Sequence, residues 1–384
     1  METPRQALTR LKNGPRPVIG CLPLYPPLEL MHSMGLAPVV LWSITDVVPR
    51  VDDADRHLQN YTCAVCRRLT QLVINEGKEL VEGLFCYNAC DTLRNLPEIL
   101  REGRLLSGST PLPWFRLHVP MTSPSQADAS AYLSDEIEAL IRSLEAAYGV
   151  TFSEERFAES VALYARMRER CLQLERAVSE GRYEFSEFCR ISTVANFLEV
   201  NEQVALLEST LAEIEGRPVR GGNAVRVIVS GILPPPLPFC EMMERSGFVV
   251  AGNDLACLHR SYAYTPETWQ DASDYHVKLY RERFPCTTLL HSTDRRVDAV
   301  MDLVSKRDAR GFLFVSEKFC EYEYLELPYL EKRLKENAVA VLAVEISMEE
   351  NLGLESFRTR MEAFRELIDA SSSPATGGEC RDRE

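Results

Sequence analysis

The stretch GLFCYNACDTLRNLPEIL, residues 83–100, joins a short apolar strand to a helix and decides the fold class. Gly83 to Tyr87 is predicted as the strand and Thr92 to Leu100 as the helix. Residues 17–21, 37–42 and 112–119 are further predicted strands, and helices are predicted between them. Short apolar strands that alternate with helices are typical of βαβ units and a mainly parallel sheet.

The same alternation returns after residue 224. A β-branched strand over 224–230, a turn with three prolines and a helix over 237–246 precede a second strand at 248–251. The first half begins in the same way, with a strand, a proline turn, and a helix that ends at a glycine. Residues 127–215 show almost no strand pattern and are predicted as helices. We therefore predict an α/β protein with two doubly wound parallel-sheet domains joined by a helical segment. The predicted parts are an N-terminal α/β domain over 1–125, a helical connector over 126–220, a C-terminal α/β domain over 221–370 and a disordered tail over 371–384.

Composition excludes several classes of protein. The 384 residues are 45% hydrophobic and 26% charged, which is typical of globular domains. A net charge of −14 argues against a broad nucleic-acid-binding surface. No apolar run is long enough to span a membrane, and no secretory signal is visible at the N-terminus. We expect a cytoplasmic protein that binds neither nucleic acid nor membrane.

Three of the twelve cysteines are predicted where ligands bind in open α/β sheets, at the carboxyl ends of strands. Cys90 follows the strand at 83–87, Cys320 follows a predicted strand at 311–315, and Cys63 lies near the start of a helix predicted over 58–80. A helix N-terminus lowers the pKa of a thiol, so we expect thiolate character at all three. Thiolates on facing domains suit a soft centre such as an iron–sulfur cluster, placed between the domains.

Two other interpretations of the cysteines stay open at this point. The spacing Cys63-x2-Cys66 with Cys86-x3-Cys90 is close to that of a four-cysteine zinc site. Against it, Cys86 is predicted inside a strand, and the glycines of a zinc knuckle are absent. Free cysteine is also often a small buried hydrophobe. The residues alone do not decide between zinc, a cluster and buried thiols.

Glu29 and His32 are the candidate acid–base residues, since both lie on a short helix close to a predicted strand end. Packing roles for both are the competing interpretation. The motifs GxSxG, HExxH and GK[ST] do not occur, so the common hydrolase and P-loop functions have no support.

Several segments, in order along residues 17–370, resemble the 2-hydroxyacyl-CoA dehydratase and benzoyl-CoA reductase subunit family. They include IGCLPLYPPLELMHSMGLAPVVL from residue 19, CAVCRRL at 63–69 and GLFCYNACDTLRNLPEIL at 83–100. The later ones are RVIVSGILPPP at 226–236, GFVVAGNDLACLHR at 247–260, GFLFVSEKFCEYEYLELPYLEKRL at 311–334 and GLESFRTRMEAFRELI at 353–368. CDT and RTRxEAF together are fairly specific for the family, of the D-component type.

The resemblance implies that Cys63, Cys90 and Cys320 hold a [4Fe-4S] cluster. Cys66 is then expected beside the first of these ligands rather than on the cluster. Cys257 matches a cysteine that is common in the family, but Leu258 and His259 replace the usual Thr-Gly. That departure leaves the role of Cys257 open.

The resemblance also implies an activity and partners. One low-potential electron converts the thioester carbonyl of an (R)-2-hydroxyacyl-CoA into a ketyl radical, which expels the 2-hydroxyl group on the way to the enoyl-CoA. The implied enzyme is a dehydratase-like lyase or a reductase of arene-CoA thioesters. Its partners would be a homologous second subunit, forming a heterodimer, and an ATP-dependent iron–sulfur activator protein. The alternative is a non-catalytic protein that holds a metal or cluster and relays electrons.

Overall fold

The structure is a computed structural model that describes residues 2–42, 44, 47–106, 112–122, 126–219, 224–289, 293–347 and 353–372. The strands are β1 (Val18–Cys21), β2 (Ala37–Val40), β3 (Gly83–Tyr87), β4 (Trp114–Leu117), β5 (Val225–Gly231), β6 (Phe248–Leu255), β7 (Gly311–Glu317) and β8 (Ala340–Ile346). The helices up to the second sheet are α1 (Pro4–Lys12), α2 (Leu28–Ser33), α3 (Ala64–Asn75), α4 (Gly77–Leu80), α5 (Asp91–Leu106), α6 (Ala127–Tyr148), α7 (Glu154–Ser179), α8 (Phe185–Ala195) and α9 (Val200–Ile214). The remaining helices are α10 (Leu237–Arg245), α11 (His259–Tyr262), α12 (Ala272–Glu282), α13 (Thr293–Lys306), α14 (Glu321–Tyr324), α15 (Leu327–Glu336) and α16 (Leu354–Ser372).

The strands form two four-stranded sheets with the same topology. The first has the order β2-β1-β3-β4 and the second the order β6-β5-β7-β8, and every strand pair is parallel. In each sheet the first strand of the chain therefore lies between the second and the third. In parallel sheets of this kind, ligands bind at the carboxyl ends of the strands, beside the point between the first and third strands where the strand order reverses. The predicted fold class, with two doubly wound parallel sheets, is confirmed.

The helical segment lies between the sheets in sequence and packs against both. Ser153 is the N-cap of α7, its side chain accepts a hydrogen bond from the Arg156 N–H, and Glu154 and Glu155 occupy the first turn. From α7, Arg168 binds Glu29 of α2, and Glu175 binds His259 of α11. The predicted domain boundaries stay predictions, because these contacts join the parts without marking where one ends.

Two predicted helices are divided, and one of them begins later than expected. The helix predicted over 58–80 begins at Ala64 and breaks at Glu76 before α4. The sequence also predicts a helix over 322–337. The structure interrupts it between Tyr324 and Leu327, because Pro328 in the first turn of α15 lacks an amide hydrogen and cannot continue a helix from before it.

Other differences lie at the ends of the chain and before the last βα units. Helices α1 and α12 were not predicted. The last helix runs to Ser372, so residues 371–372 of the predicted disordered tail are helical, and residues 373–384 lie outside the described residues. None of the described helices is long and apolar enough to cross a membrane.

Candidate functional site

One pocket lies where the carboxyl ends of both sheets meet. The loop after β1 contributes Leu24, the loop after β5 contributes Ile232 and Leu233, and Trp42 follows β2. Four cysteines line the same pocket, Cys63, Cys66, Cys90 and Cys320. The space amounts to about 510 Å³, part of it open to solvent. The structure thus brings together the three cysteines that the sequence singled out, and adds Cys66.

Cys63 and Cys66 share one face of the first turn of α3. Cys63 is the N-cap residue, with extended backbone (φ −61°, ψ 152°), and its side chain forms no capping hydrogen bond. Cys66 is the third residue of the helix, next to which the side chain of an N-cap residue lies. The Cys66 thiol interacts with the thiols of both Cys63 and Cys90. Those two interactions and burial raise the pKa of Cys66 well above its usual value.

Cys90 lies between β3 and α5, at the junction that the sequence predicted. Its sulfur accepts a hydrogen bond from the Leu93 N–H at 3.4 Å. The hydrogen bond with Cys66 lowers the pKa of Cys90; burial opposes this, and the N–H groups of Leu93 and Thr92 add to it. The expected effect of a helix N-terminus is therefore present at Cys90.

Cys320 reaches the pocket from the second sheet. It follows the end of β7 in a tight turn, in which its N–H donates to the Glu317 carbonyl at 3.0 Å. Burial raises the pKa of the Cys320 thiol well above its usual value, and the Glu323 carboxylate adds to the rise. The expectation of a lowered pKa is wrong here, because α14 has only four residues and burial outweighs its dipole.

Strained backbone lies next to the cysteine pocket. Leu24 (φ 154°), Tyr25 (φ 40°) and Phe319 (φ 68°) are non-glycine residues with positive φ, and they flank the loops that carry the pocket. Such conformations cost about 1–3 kcal/mol each and persist where the surrounding structure imposes them, often at functional sites. Only Asp308 and Ala338 share this property elsewhere in the described residues.

The other cysteines among the described residues do not line this pocket. Cys86 is buried in β3 and accepts a hydrogen bond from the Trp114 indole at 3.3 Å, so it does not complete the predicted zinc spacing. Cys257 lines two other cavities, and burial raises its pKa well above the usual value. Cys171, on α7, contacts the Met167 sulfur at 3.7 Å.

Glu29 is buried and His32 is partly buried, each in contacts of its own, and neither lines the cysteine pocket. The Glu29 carboxylate pairs with Arg168 and accepts a hydrogen bond from the Tyr275 hydroxyl at 2.8 Å. His32 lies 2.8 Å from the Ser160 hydroxyl through its Nδ1. These contacts give each side chain a packing role, and the catalytic role of both stays a prediction.

A hydrogen-bonded chain behind the pocket was missed by sequence reasoning. The Tyr87 hydroxyl at the end of β3 lies 3.0 Å from the Thr288 hydroxyl, which lies 3.2 Å from the Cys286 sulfur. The buried Arg260 guanidinium donates to that sulfur at 3.3 Å and pairs with Asp254. Burial opposes a lowering of the Cys286 pKa, but Arg260 and Thr288 outweigh it. These residues lie far apart in sequence and follow no short motif.

A second cavity adjoins the first. It measures about 920 Å³ and lies between α2, α7 and the loop after β6. Trp42 lines both cavities, and Arg283, stacked 3.9 Å from the centre of the Tyr25 ring, lines the larger one.

The four thiols fit an iron–sulfur cluster by their donor chemistry. Soft sulfur ligands in an apolar pocket are what such clusters use. Among the described residues, no three His, Cys, Asp or Glu side chains are arranged to hold a single metal ion. A cluster is bound at separate iron atoms, so its thiolates need not converge on one point.

Comparison with known proteins places the chain in a family. Residues 23–368 match the family model of 2-hydroxyglutaryl-CoA dehydratase, D-component. The (R)-phenyllactyl-CoA dehydratase beta subunit of Clostridium sporogenes is 23% identical over 96% of both chains. The beta subunit of lactoyl-CoA dehydratase from Anaerotignum propionicum is 22% identical over 91% of both chains. A benzoyl-CoA reductase subunit of Thauera aromatica is 23% identical, over 92% of this chain and 91% of its own. The chain therefore belongs to the 2-hydroxyglutaryl-CoA dehydratase D-component family.

Proposed function

We propose that the chain is the iron–sulfur subunit of a 2-hydroxyacyl-CoA dehydratase-like complex. The observation that carries this proposal is the pocket in which thiols from both sheets meet, with Cys63 and Cys90 from the first and Cys320 from the second. In the proposal these three thiolates hold a [4Fe-4S] cluster. The three relatives named above are subunits of two acyl-CoA dehydratases and of a benzoyl-CoA reductase.

The bound cluster would supply one low-potential electron for the radical dehydration of an (R)-2-hydroxyacyl-CoA or for a related arene-CoA reduction. The chain's own residues hold and shield the site. Leu24, Trp42 and Leu233 form apolar walls that restrict water around the thiols. A thiol that binds iron is deprotonated outright, so the raised pKa of free Cys320 is compatible with a ligand role.

The partners follow from the same proposal. A homologous second subunit would complete the enzyme, as the names of the beta subunits suggest. An ATP-dependent iron–sulfur activator would inject the electron, and an acyl-CoA thioester would be the substrate of the complex. Whether the reaction is that of a lyase or an oxidoreductase depends on that thioester.

Anaerobic purification tests the proposal. We expect about four irons and four sulfides per chain, with an EPR signal after dithionite reduction. Cys63→Ser, Cys90→Ser and Cys320→Ser should each lose most of this iron, whereas Cys171→Ser serves as the matched control and should retain it. Zinc in place of iron, or full iron content in Cys320→Ser, would contradict the proposal. Iron retained without acyl-CoA turnover by the reconstituted complex would favour a non-catalytic electron-relay protein.

A further inference from the structure

Cys66 lies inside the cysteine pocket and not beside it. Its side chain is only 2% exposed and lines the same cavity as Cys63, Cys90 and Cys320. Cys63 is the N-cap residue of α3 and Cys66 is the third residue of that helix, and both line the pocket. Its thiol is close enough to interact with those of both Cys63 and Cys90.

The other polar side chains of the pocket are poorer ligands for iron in a cluster. The Thr288 hydroxyl is already shared between Tyr87 and Cys286, at 3.0 and 3.2 Å. Glu317 and Tyr322 offer oxygen, which is a harder donor than sulfur. Cys66 is therefore the best-matched additional donor among the described residues that line the cavity.

We infer that Cys66 provides a fourth thiolate, so that the cluster of this chain is bound entirely by cysteine. This inference rests on the proposed function, which supplies the cluster itself. Forming the fourth iron–sulfur bond requires the Cys66 thiol to release its proton to solvent. With four thiolates, no iron keeps a position open for a substrate oxygen. The chain then serves as the electron-relaying subunit, and an open iron site must lie on another subunit of the complex.

Controlled oxidation distinguishes four thiolate ligands from three. Ferricyanide takes one electron from [4Fe-4S]²⁺ to give [4Fe-4S]³⁺, which releases Fe²⁺ and leaves [3Fe-4S]⁺ when one iron lacks a protein ligand. We compare wild type, Cys66→Ala and Cys66→Ser in buffer free of small thiols, using iron content and the EPR signal of the three-iron cluster. Wild type should keep its iron through one equivalent of ferricyanide. Cys66→Ala should lose one iron per cluster and develop the three-iron signal.

Cys86→Ala is the matched control, because Cys86 is a buried cysteine on the adjoining strand that does not line the pocket. It should behave as wild type. Cys66→Ser puts a harder oxygen donor in place of the thiolate, so the cluster that it binds should give a reduced spectrum different from that of wild type. This variant keeps the test valid if Cys66→Ala binds little iron.

Two different failures can be told apart. Loss of one iron from wild type as readily as from Cys66→Ala, or a reduced spectrum of Cys66→Ser identical to wild type, overturns the role of Cys66 and leaves the proposed function standing. Wild type that contains no iron or sulfide overturns the proposed function, and the inference with it. Full iron content in Cys320→Ser with loss in Cys66→Ser would make Cys66 a replacement for Cys320, which also contradicts the inference.

Discussion

Glu29 and Arg168 form a buried ion pair that ties α2 to α7, with Glu29 fully buried and Arg168 only 5% exposed. Removing the guanidinium leaves a carboxylate without a counter-charge in the interior, which costs about 3–5 kcal/mol. We therefore expect Arg168→Met to lower the free energy of unfolding by about that amount in urea titrations. The double variant Glu29→Gln with Arg168→Met should lose less of the free energy of unfolding than Arg168→Met alone, because no buried charge is then left without a partner.

The single variant Glu29→Gln, compared with the double variant, also tests the predicted catalytic role of Glu29. If Glu29 only pairs with Arg168, Glu29→Gln should reduce stability, and any loss of turnover should follow the loss of folded protein. Loss of turnover at unchanged stability would instead support acid–base catalysis by Glu29. An additive double variant would mean that the pair contributes no coupling energy.

His259, one of the residues that depart from the family pattern, should make stability depend on pH. Its Nδ1 lies 2.9 Å from the Glu175 carboxylate. Burial opposes a rise in the pKa of His259, but Glu175, with Asp254 beyond it, outweighs burial and the opposing Arg307. The stabilisation is therefore complete below the ordinary histidine pKa of 6.5 and is lost as pH rises through the higher folded value. Glu175 has a lowered pKa, so its own contribution is lost only when pH falls below the ordinary carboxyl range.

We expect His259→Gln to reduce the free energy of unfolding more at about pH 6 than at about pH 9. Urea titrations at the two pH values measure the difference. Tyr262→Phe is the control, since the Tyr262 hydroxyl donates to the same carboxylate at 2.7 Å but does not change charge over this range. Equal losses for His259→Gln at both pH values would show that the imidazole is not charged in the folded protein.

Gly231 ends β5 where the chain turns towards the cysteine pocket. Its φ is +155°, and a Cβ there would lie 2.2 Å from the Val315 carbonyl oxygen on β7. Gly35, with φ +79° and no atom within 4 Å of a Cβ, provides a control for backbone conformation alone. The left-handed conformation costs about 1–2 kcal/mol for other residues. We expect Gly231→Ala to destabilise the protein more than Gly35→Ala in urea titrations, and to lower iron content because Ile232 must shift. Equal losses of unfolding free energy in the two variants would mean that β7 shifts to make room for the new Cβ without cost.

The elements that sequence reasoning predicted are those with a simple local pattern. β3 occupies the predicted residues 83–87, and the turns at Gly35 and Gly247, both with positive φ, end the predicted helices. Helix α12 was missed because its buried face carries Tyr275, His276 and Tyr280 in place of an aliphatic stripe. The Tyr275 hydroxyl donates to Glu29 and the Tyr280 hydroxyl donates to the Tyr25 carbonyl, and sequence alone does not reveal such distant partners.

The residues of the candidate site differ in the same way: some follow a local sequence pattern, and others are brought together only by long-range packing. Cys90 and Cys320 were predicted at strand ends because each follows a clear apolar strand. Cys66 was expected outside the cluster, because the family resemblance gives only Cys63, Cys90 and Cys320 as its ligands. In the structure Cys63 is the N-cap residue of α3, and Cys66 lines the same pocket. The chain from Tyr87 through Thr288 to Arg260 depends on the packing of both sheets and has no local pattern.

The two sheets have the same strand order, and residues that follow the carboxyl ends of strands in both sheets line one pocket. Cys63, Cys66 and Cys90 lie in the part of the chain that forms the first sheet, whereas Cys320 lies in the part that forms the second. The proposed cluster would therefore join parts far apart in sequence.

A ligand that binds only the folded state stabilises it by mass action. We expect anaerobic removal of the cluster with a chelator and oxidant to lower the thermal unfolding temperature of the wild type. Cys320→Ser should unfold at the lower temperature from the start and show no further decrease, while Cys171→Ala should respond as wild type. If Cys320→Ser loses as much thermal stability on metal removal as wild type does, the bound metal does not link the two sheets, and the thiols of the first sheet alone must hold it.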